Sequence, residues 1–418
     1  IVVLAPTGVA AVNVRGQTIH SFFRFKPDIS LNKIKKKGDD KDSIYKKLDA
    51  IVIDEVSMVR ADLLDCVDKF MRLNGRDRRR PFGGTQMIFI GDLYQLPPVV
   101  TSRDKMAFAN NYNSPYFFSA MVFTDNGLLH EGFKMEMIEL EKIYRQKDQG
   151  FIDLLNMVRN NSVTANELAA LNARHDSEFF PAPNELYVYL TPTNAMAQEI
   201  NEIRLKDLSG KELKFTGEIV GKFDNYSLPT EEKLIVKVGA QVMLLNNDQH
   251  GRWINGSTGK IISVKKDDNG GMVIIVKLDD GEEVEVTPYT WDLYEYRFDK
   301  STKSIESKSV GSFTQYPLRL AWAITIHKSQ GKTFNKVVVD IGRGTFAHGQ
   351  MYVALSRCVG LEGLVLKKPI EKRHIWMDWR VVRFVTKYQY ALSENNCPLD
   401  KKIVLIKEVI KNKQKINV

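Results

Sequence analysis

Three short apolar runs in the first hundred residues each stop at a small or acidic turn: "IVVLAPTG" (1–8), "AIVIDEVSM" (50–58) and "MIFIGDLYQLPP" (87–98). Four or five aliphatic residues in a row, without polar alternation, describe a strand covered on both faces. Helical patterns lie between the runs, as in "RADLLDCVDKFMRL" (60–73). Strands alternating with helices predict an α/β fold with a parallel sheet. In such sheets ligands sit beyond the carboxyl ends of the strands, so the residues closing each run are the first candidates for a site.

The second run ends on Asp54 and Glu55. A hard Mg²⁺ takes carboxylate oxygen, and an adjacent carboxylate can orient an attacking water. The bland alternative is a pair capping the next helix. The third run ends on Gly91-Asp92, with Gln95 in a turn stiffened by Pro97 and Pro98. A Gln there can sense a γ-phosphate, and Asp92 can bond Mg²⁺-bound water. Two arginines, Arg145 in "EKIYRQ" and Arg357 in "YVALSRC", suit a reaction that spreads charge over phosphate oxygens; otherwise they are ion-pair residues. Nucleic-acid contacts are expected in "APTGVAAVNVRGQTIHSF", at Thr7, Gly8, Thr18, His20 and Ser21, and in "ITIHKSQGKTF", at His327, Lys328 and Ser329. Hydroxyls, backbone N–H groups and Lys position phosphates, and flat rings stack bases.

A carboxylate pair of this kind normally works opposite a Gly-rich phosphate cradle ending in Lys-Ser or Lys-Thr. "GKT" at 331–333 fails because Ile326 stands where the first Gly belongs, and "GSTGKI" at 256–261 fails because Ile261 stands at the Ser/Thr position. The chain opens at Ile1, already inside a strand. The expectation is that the cradle lies upstream of Ile1 and that the polypeptide is N-terminally truncated.

Residues 139–210 read as mainly helical, with a second strand-turn-helix at "LYVYLTPTNAMAQEINEIRL" (186–205). From 234 to 315, β-rich runs alternate with Gly and Asp turns, suggesting a small β-barrel. The α/β pattern returns at "KVVVDIG" and "GLVLKK", and the tail from 401 is basic and helix-compatible. Between the first two strands, a lysine-rich stretch near 24–48 reads as a solvated loop or a small insertion touching a polyanion. Length (418 residues) allows two or three domains, and 43% hydrophobic with 27% charged residues is ordinary for a globular protein. Net charge of +9 fits a polyanion partner without requiring one. No apolar run approaches the roughly 20 residues of a membrane-spanning helix, so no membrane partner is expected. Cys66, Cys358 and Cys397 show no metal-ligand spacing and are expected to be free thiols in a reducing compartment.

Taken in order, "APTGVAA…GQTIHSFF", "IVIDEVSMV", "PFGGTQMIFIGDLYQLPPV", "LEKIYRQ", "VGAQVMLLNN…WINGSTG", "LAWAITIHKSQGKTF" and "MYVALSRC" resemble the Pif-family DNA helicases, the RecD-related 5′-to-3′ branch of helicase superfamily one. The resemblance spans residues 1 to about 370, and "DKFMRLNGRDRRRPFGG" is similar to the family's signature region. It implies two RecA-like P-loop NTPase domains, 1–135 and 136–418, each with a parallel sheet, and a Src-homology-like barrel near 245–312 in the second. The stretch at 24–48 would be a wedge insertion of the first. It further implies ATP in the cleft between the domains, Mg²⁺ on Asp54 and on an upstream Ser or Thr, and Glu55 as the water-activating base. Gln95 would read the γ-phosphate, Arg145 and Arg357 would reach it, and Gln330 and Gly331 would couple nucleotide to strand. Thr7, His20, His327 and Ser329 would lie along single-stranded DNA, with Asn255 and Gly256 close by. The implied partners are single-stranded and forked or structured DNA, met by a monomer or by oligomers on DNA, in replication, repair, recombination or telomere maintenance. The setting would be nuclear or mitochondrial in a eukaryote and cytoplasmic in a bacterium. Two alternatives stay open at this point: a non-catalytic single-strand-binding remnant, and a RecD-like subunit of a nuclease complex.

Overall fold

A computed structural model describes residues 1–394 except 39–42, 101–107, 124–132, 134, 141, 183, 224–227, 268–269, 300 and 303. The basic tail and Cys397 therefore lie outside the described residues. Each apolar run of the first hundred residues is a strand: β1 (Val2–Ala5), β3 (Ala50–Ile53) and β4 (Gln86–Phe89), joined by the short β2 (Gln17–Thr18). They form one parallel sheet in the order β2-β1-β3-β4. Leu4 pairs with Ile53 and Ile53 with Phe89, so the three long strands end side by side. All four residues of β3 are buried, as an uninterrupted aliphatic strand requires.

Helices α1 (Gly8–Asn13), α2 (Ile19–Phe23), α3 (Ile44–Lys47) and α4 (Ala61–Asn74) accompany this sheet. On α4 the residues Leu64, Val67, Phe70 and Met71 recur at helical spacing and are all buried. Two acids on the same helix are buried too, and each is used. Asp65 accepts from the backbone N–H of Met121 and Val122, and Asp68 from that of Phe82. Burial still pushes the Asp65 carboxyl above its ordinary range, against those bonds. The lysine-rich stretch is anchored at Tyr45, which is buried against Phe22, Phe23 and Phe70 and donates to the Phe22 carbonyl at 3.1 Å; its residues 39–42 lie outside the described residues.

The second half repeats the plan. Strand β5 (Val188–Thr191) shares a sheet with three later strands, β16 (Ala323–Thr325), β17 (Val337–Val339) and β18 (Leu364–Leu366), in the parallel order β16-β5-β17-β18. Its helices are α5 (Gln149–Arg159), α6 (Ala165–Asn172), α7 (Asn194–Asp207), α8 (Gln350–Leu355) and α9 (Trp379–Glu394). The two parallel sheets are the α/β class expected from the sequence.

Among the described residues, ten further strands lie between β5 and β16. They are β6 (Leu213–Thr216), β7 (Glu218–Gly221), β8 (Lys233–Val236), β9 (Gln241–Leu244), β10 (Thr258–Lys266), β11 (Met272–Leu278), β12 (Glu283–Val286), β13 (Tyr289–Asp299), β14 (Ser304–Gln315) and β15 (Leu318–Leu320). They pair as a five-stranded sheet, β12-β11-β10-β9-β15, a three-stranded sheet, β13-β14-β7, and the ribbon β6-β8. The β-rich runs read at 234–315 are strands, and further strands extend the region to Leu213 on one side and Leu320 on the other. β7 pairs with β14 and β15 with β9 across long stretches of chain. The β13 strand also touches the first sheet: the Tyr296 hydroxyl accepts from Val3 N–H and the Tyr296 N–H donates to the Gln17 side chain, both at 3.2 Å.

Candidate active site and strand-binding face

Asp54 and Glu55 follow β3 directly and are half-buried. Glu55 adopts a left-handed backbone (φ 51°, ψ 45°), rare for a side chain with a Cβ. The turn is fixed from both sides. Asp54 N–H donates to Leu4 O and Val56 N–H to Ile90 O, each at 2.9 Å. Gly91 lies so close that a Cβ there would stand 2.9 Å from the Val56 nitrogen. Beneath it, the buried hydroxyl of Ser57 has no partner.

The third strand end forms a short polar relay. The Gln95 amide donates to Asp92 at 3.1 Å, and Asp92 also accepts from Tyr94 N–H at 3.0 Å. The Gln95 carbonyl oxygen accepts from the Gln330 amide at 3.4 Å. The first sheet is thereby linked to the loop after β16. Leu96, the next residue, is fully buried in the hydrophobic core of the second half, together with Leu155, Val353 and Leu355.

Arg357 arrives from the other side, one residue beyond Ser356, the C-cap of α8. It is 1% exposed. Its guanidinium donates to Val353 O (3.0 Å), Ser356 Oγ (2.8 Å), Lys332 O (3.3 Å) and Ser329 O (3.4 Å). All four acceptors are neutral. Burial pushes its pKa down to about 9, and the neighbouring Arg145 pushes the same way; Tyr352 and the Asp92 and Glu55 carboxylates oppose both. Arg145 is half-buried, donates to Thr333 Oγ1 at 2.8 Å, and is likewise depressed by burial. Two neighbouring guanidiniums with uncharged acceptors, facing acidic strand ends, form a pocket whose charge calls for a polyanion. Among the described residues no group of three His, Cys, Asp or Glu is poised to hold a metal. Mg²⁺ bound through one carboxylate and ligand phosphates needs none, so the donor set fits a magnesium-complexed triphosphate.

Three contacts that the sequence does not announce hold this pocket together. Buried Gln146 donates to the carbonyls of Ser356 (3.0 Å) and Cys358 (2.9 Å), fastening Arg145 to Arg357. His348 bonds Leu93 O through Nε2 (3.0 Å) and accepts Asp378 N–H at Nδ1 (2.9 Å). Gly349, with φ 69°, opens α8 against the Gln95 turn; a Cβ there would lie 2.3 Å from Tyr94 O and 2.7 Å from Gln95 O. Gly349→Ala should therefore push the Arg357 helix away from Gln95. Left-handed strain alone costs on the order of 1–3 kcal/mol, and the expected result is a lower melting temperature together with slower hydrolysis. An unchanged melting temperature would show that the two halves do not close on this glycine.

The strand-end residues on the other face are more dispersed. Thr7 is the N-cap of α1, its hydroxyl accepting from Ala10 N–H at 3.3 Å, with Gly8 as the first helical residue. Thr18 caps α2 in the same way, accepting from Ser21 N–H at 3.1 Å. His20 is half-buried, and burial lowers its pKa. After β16, His327 is half-buried and Lys328 exposed. Ser329 is different: it is fully buried and its hydroxyl donates to Ile326 O at 2.7 Å, so it shapes the turn instead of facing solvent. Gly331 takes φ 73° in open space. Asn255 bridges both halves, donating to Asn13 Oδ1 (3.2 Å) and accepting from Lys332 Nζ (2.7 Å). Gly256 beside it has φ 107°. One further residue was missed: Thr193 caps α7 after β5, accepting from Met196 N–H at 3.4 Å. Its "TPTN" turn echoes "APTG" at Thr7, and comparing the two strings would have found it.

Among the described residues no helix is long and apolar enough to cross a membrane. A family model described as "PIF1-like helicase" matches residues 1–168. The "ATP-dependent DNA helicase Pif1" of Bdellovibrio bacteriovorus is 30% identical over 400 residues, covering 93% of this chain and 82% of that one. Among solved structures, Bacteroides sp Pif1 in complex with ADP-AlF4 superposes with a TM-score of 0.81 at 35% identity, covering 93% of this chain and 87% of that one. Bacteroides Pif1 bound to ssDNA gives a TM-score of 0.62 at 36% identity, covering 93% and 88%. Likeness at this identity, sustained along both parallel sheets and the strands between them, makes this chain a member of the PIF1-like helicase family.

Proposed function

We propose that the protein is an ATP-dependent DNA helicase that moves 5′ to 3′ on single-stranded DNA and opens duplex ahead of it. The observation that carries this reading is the buried Arg357 beside Arg145, set against the acidic ends of β3 and β4. Binding DNA alone gives no reason to bury two cations between the halves of the molecule, which argues against a non-catalytic remnant. The bound nucleotide and its Mg²⁺ supply the phosphoanhydride and partial neutralisation of its charge. Asp54 would hold the metal and Glu55 take the proton of the attacking water. Gln95 would read the γ-phosphate, and Asp92 beside it would help to hold the metal. Arg145 and Arg357 meet the charge that grows on the transferring oxygens. Gln330 and Gly331 carry the change to the strand-binding turn, because Gln330 touches Gln95 and sits three residues from His327.

The strand runs over the turns capped by Thr7, Thr18 and Thr193, past His20 and His327-Lys328, with Asn255 and Gly256 at its side; Ser329 acts through the shape of its turn. Support comes from two solved structures of relatives, Bacteroides Pif1 bound to ssDNA and two coordinating Pif1 helicases at forked dsDNA. In this reading the protein works as a monomer, with oligomers forming on DNA.

His327→Ala and Thr7→Ala should each weaken single-strand binding by about 1–3 kcal/mol. Thr7 also caps a helix, so Thr7→Ser, which keeps the cap, separates lost DNA contact from lost stability. Fluorescence anisotropy with an oligo-dT at fixed salt measures this. Unchanged affinity in His327→Ala and Thr7→Ala would remove these turns from the strand path.

A further inference from the structure

His348 is a buried titratable side chain, 2% exposed, to which the chemistry proposed above gives no part. It stands just before Gly349 at the start of α8 and faces the turn that follows β4. Its ring meets those of Tyr116 and Trp376 edge to face, both with centroids 6.2 Å away. Both ring nitrogens are committed. Nδ1 accepts the Asp378 N–H at 2.9 Å, and Nε2 bonds the Leu93 carbonyl at 3.0 Å. A backbone N–H only donates and a carbonyl only accepts, so the ring proton sits on Nε2 and the imidazole is neutral. Burial lowers its pKa, against the Leu93 bond and the Asp378 and Asp92 charges.

Asp378 is held in place by other groups. Its carboxylate accepts from the Tyr116 hydroxyl (3.2 Å) and from Arg380 Nε (2.8 Å), and Arg380 also donates to Asn113 O (2.9 Å). Behind it, α9 sinks Val381 and Val385 among Tyr116, Leu93 and Phe118, and Phe384 stacks on Phe118 at 4.2 Å and 11°. A helix of the second half is thus fastened to residues 113–118 of the first, and His348 sits at that joint.

What the imidazole holds is a catalytic turn. Gln95 N–H donates to Asp92 O at 3.1 Å, which closes a turn with Leu93 and Tyr94 at its corners. Nε2 holds the Leu93 carbonyl, and the Tyr94 carbonyl rests against Gly349. Both contacts come from the start of α8, and Arg357 lies just past its far end. Moving the turn off His348 therefore moves Gln95 relative to Arg357. A misplacement of about 1 Å can cost on the order of 10²-fold in rate.

We infer that His348 is a positioning residue for Gln95. Fixed as the Nε2–H tautomer by Asp378, it sets how the γ-phosphate-reading turn faces Arg357. This rests on the nucleotide roles proposed above, and it gives α9 a part in the chemistry although α9 carries none of the proposed catalytic groups.

A histidine kept for stability alone would make the same two bonds, so the test separates them. Glutamine places an amide N–H near the Nε2 position, and asparagine places a carbonyl near Nδ1. Leucine fills the space between Tyr116 and Trp376 and keeps neither bond. The measurements are kcat and KM for ATP with oligo-dT, on the full chain and well below the melting temperature of every variant, together with those melting temperatures. His348→Leu should lower kcat roughly tenfold to a hundredfold with KM nearly level, because the turn acts on the transferring phosphate. His348→Gln should recover most of that loss and His348→Asn little, although each restores one bond and some of the melting temperature. The Gln and Asn variants decide the matter by themselves if His348→Leu does not fold. Equal kcat in those two, or wild-type kcat in His348→Leu, would overturn the positioning role and leave the nucleotide roles standing. Wild type without DNA-stimulated hydrolysis would overturn the nucleotide roles themselves.

Discussion

Glu55→Gln should slow DNA-stimulated ATP hydrolysis by on the order of 10² to 10⁴, the usual loss when a general base is removed, while ATP binds as well as before or better. The substitution keeps the size and reach of the side chain. The left-handed turn at φ 51° is held by its neighbours, through Asp54 N–H on Leu4 and Val56 N–H on Ile90, so it does not depend on the carboxylate. What changes is charge and basicity. A neutral amide cannot take a proton from water. Removing a negative charge that faces Arg357 also leaves the cation pair freer to meet phosphate. The loss should therefore fall on kcat and leave KM level or lower, with single-strand affinity intact. Steady-state ATPase in the presence of single-stranded DNA is the measurement. Turnover near wild type would take Glu55 out of the chemistry and leave it a turn residue.

The first sheet was legible because its signal is local. A strand buried on both faces must be written as consecutive aliphatic residues, and "AIVI" can be read without knowing its partners. The acids at its end were legible for the same reason. What sequence could not supply were contacts between distant segments. Gln146 reads as an ordinary polar residue until it is seen holding Ser356 and Cys358, more than two hundred residues away. His348 and Gly349 have no motif of their own, and their role exists only because Leu93 and the Gln95 turn lie across from them. Ser329 shows the converse: its position beside His327 suggested a DNA contact, yet helical-turn geometry directs its hydroxyl to Ile326. The β-rich region was located but not delimited. Alternation and turn residues mark strands such as β10 and β11, whereas β7 and β15 are recruited by pairing with β14 and β9, which leaves no local trace.

Arg357→Ala is expected to act twice, and the structure says how to separate the two effects. As a cation meeting charge that develops on the γ-phosphate, the guanidinium should be worth as much as roughly 10³ in kcat, with little change in nucleotide affinity. As a buried donor it also ties α8 to the loop of Ser329 and Lys332 through two backbone carbonyls. Truncation takes this donor from the Lys332 carbonyl, at a cost of about 1–3 kcal/mol, while the Ser329 carbonyl keeps the Lys332 N–H at 3.0 Å, so the melting temperature should fall as well. Arg357→Lys restores a charge but not the planar fork, because an ammonium cannot donate to four acceptors spread around a guanidinium. It should recover part of the stability and little of the rate. Bound nucleotide gives a third reading: an anion beside Arg145 and Arg357 offsets the burial that now holds Arg357 near 9, so ATP should raise the melting temperature of wild type more than that of Arg357→Ala. The decisive comparison is kcat measured well below the melting temperature of the variant. Near-normal turnover there, beside a lowered melting temperature, would make Arg357 a brace between α8 and the Ser329 loop, and Arg145 would be left to meet the phosphate alone.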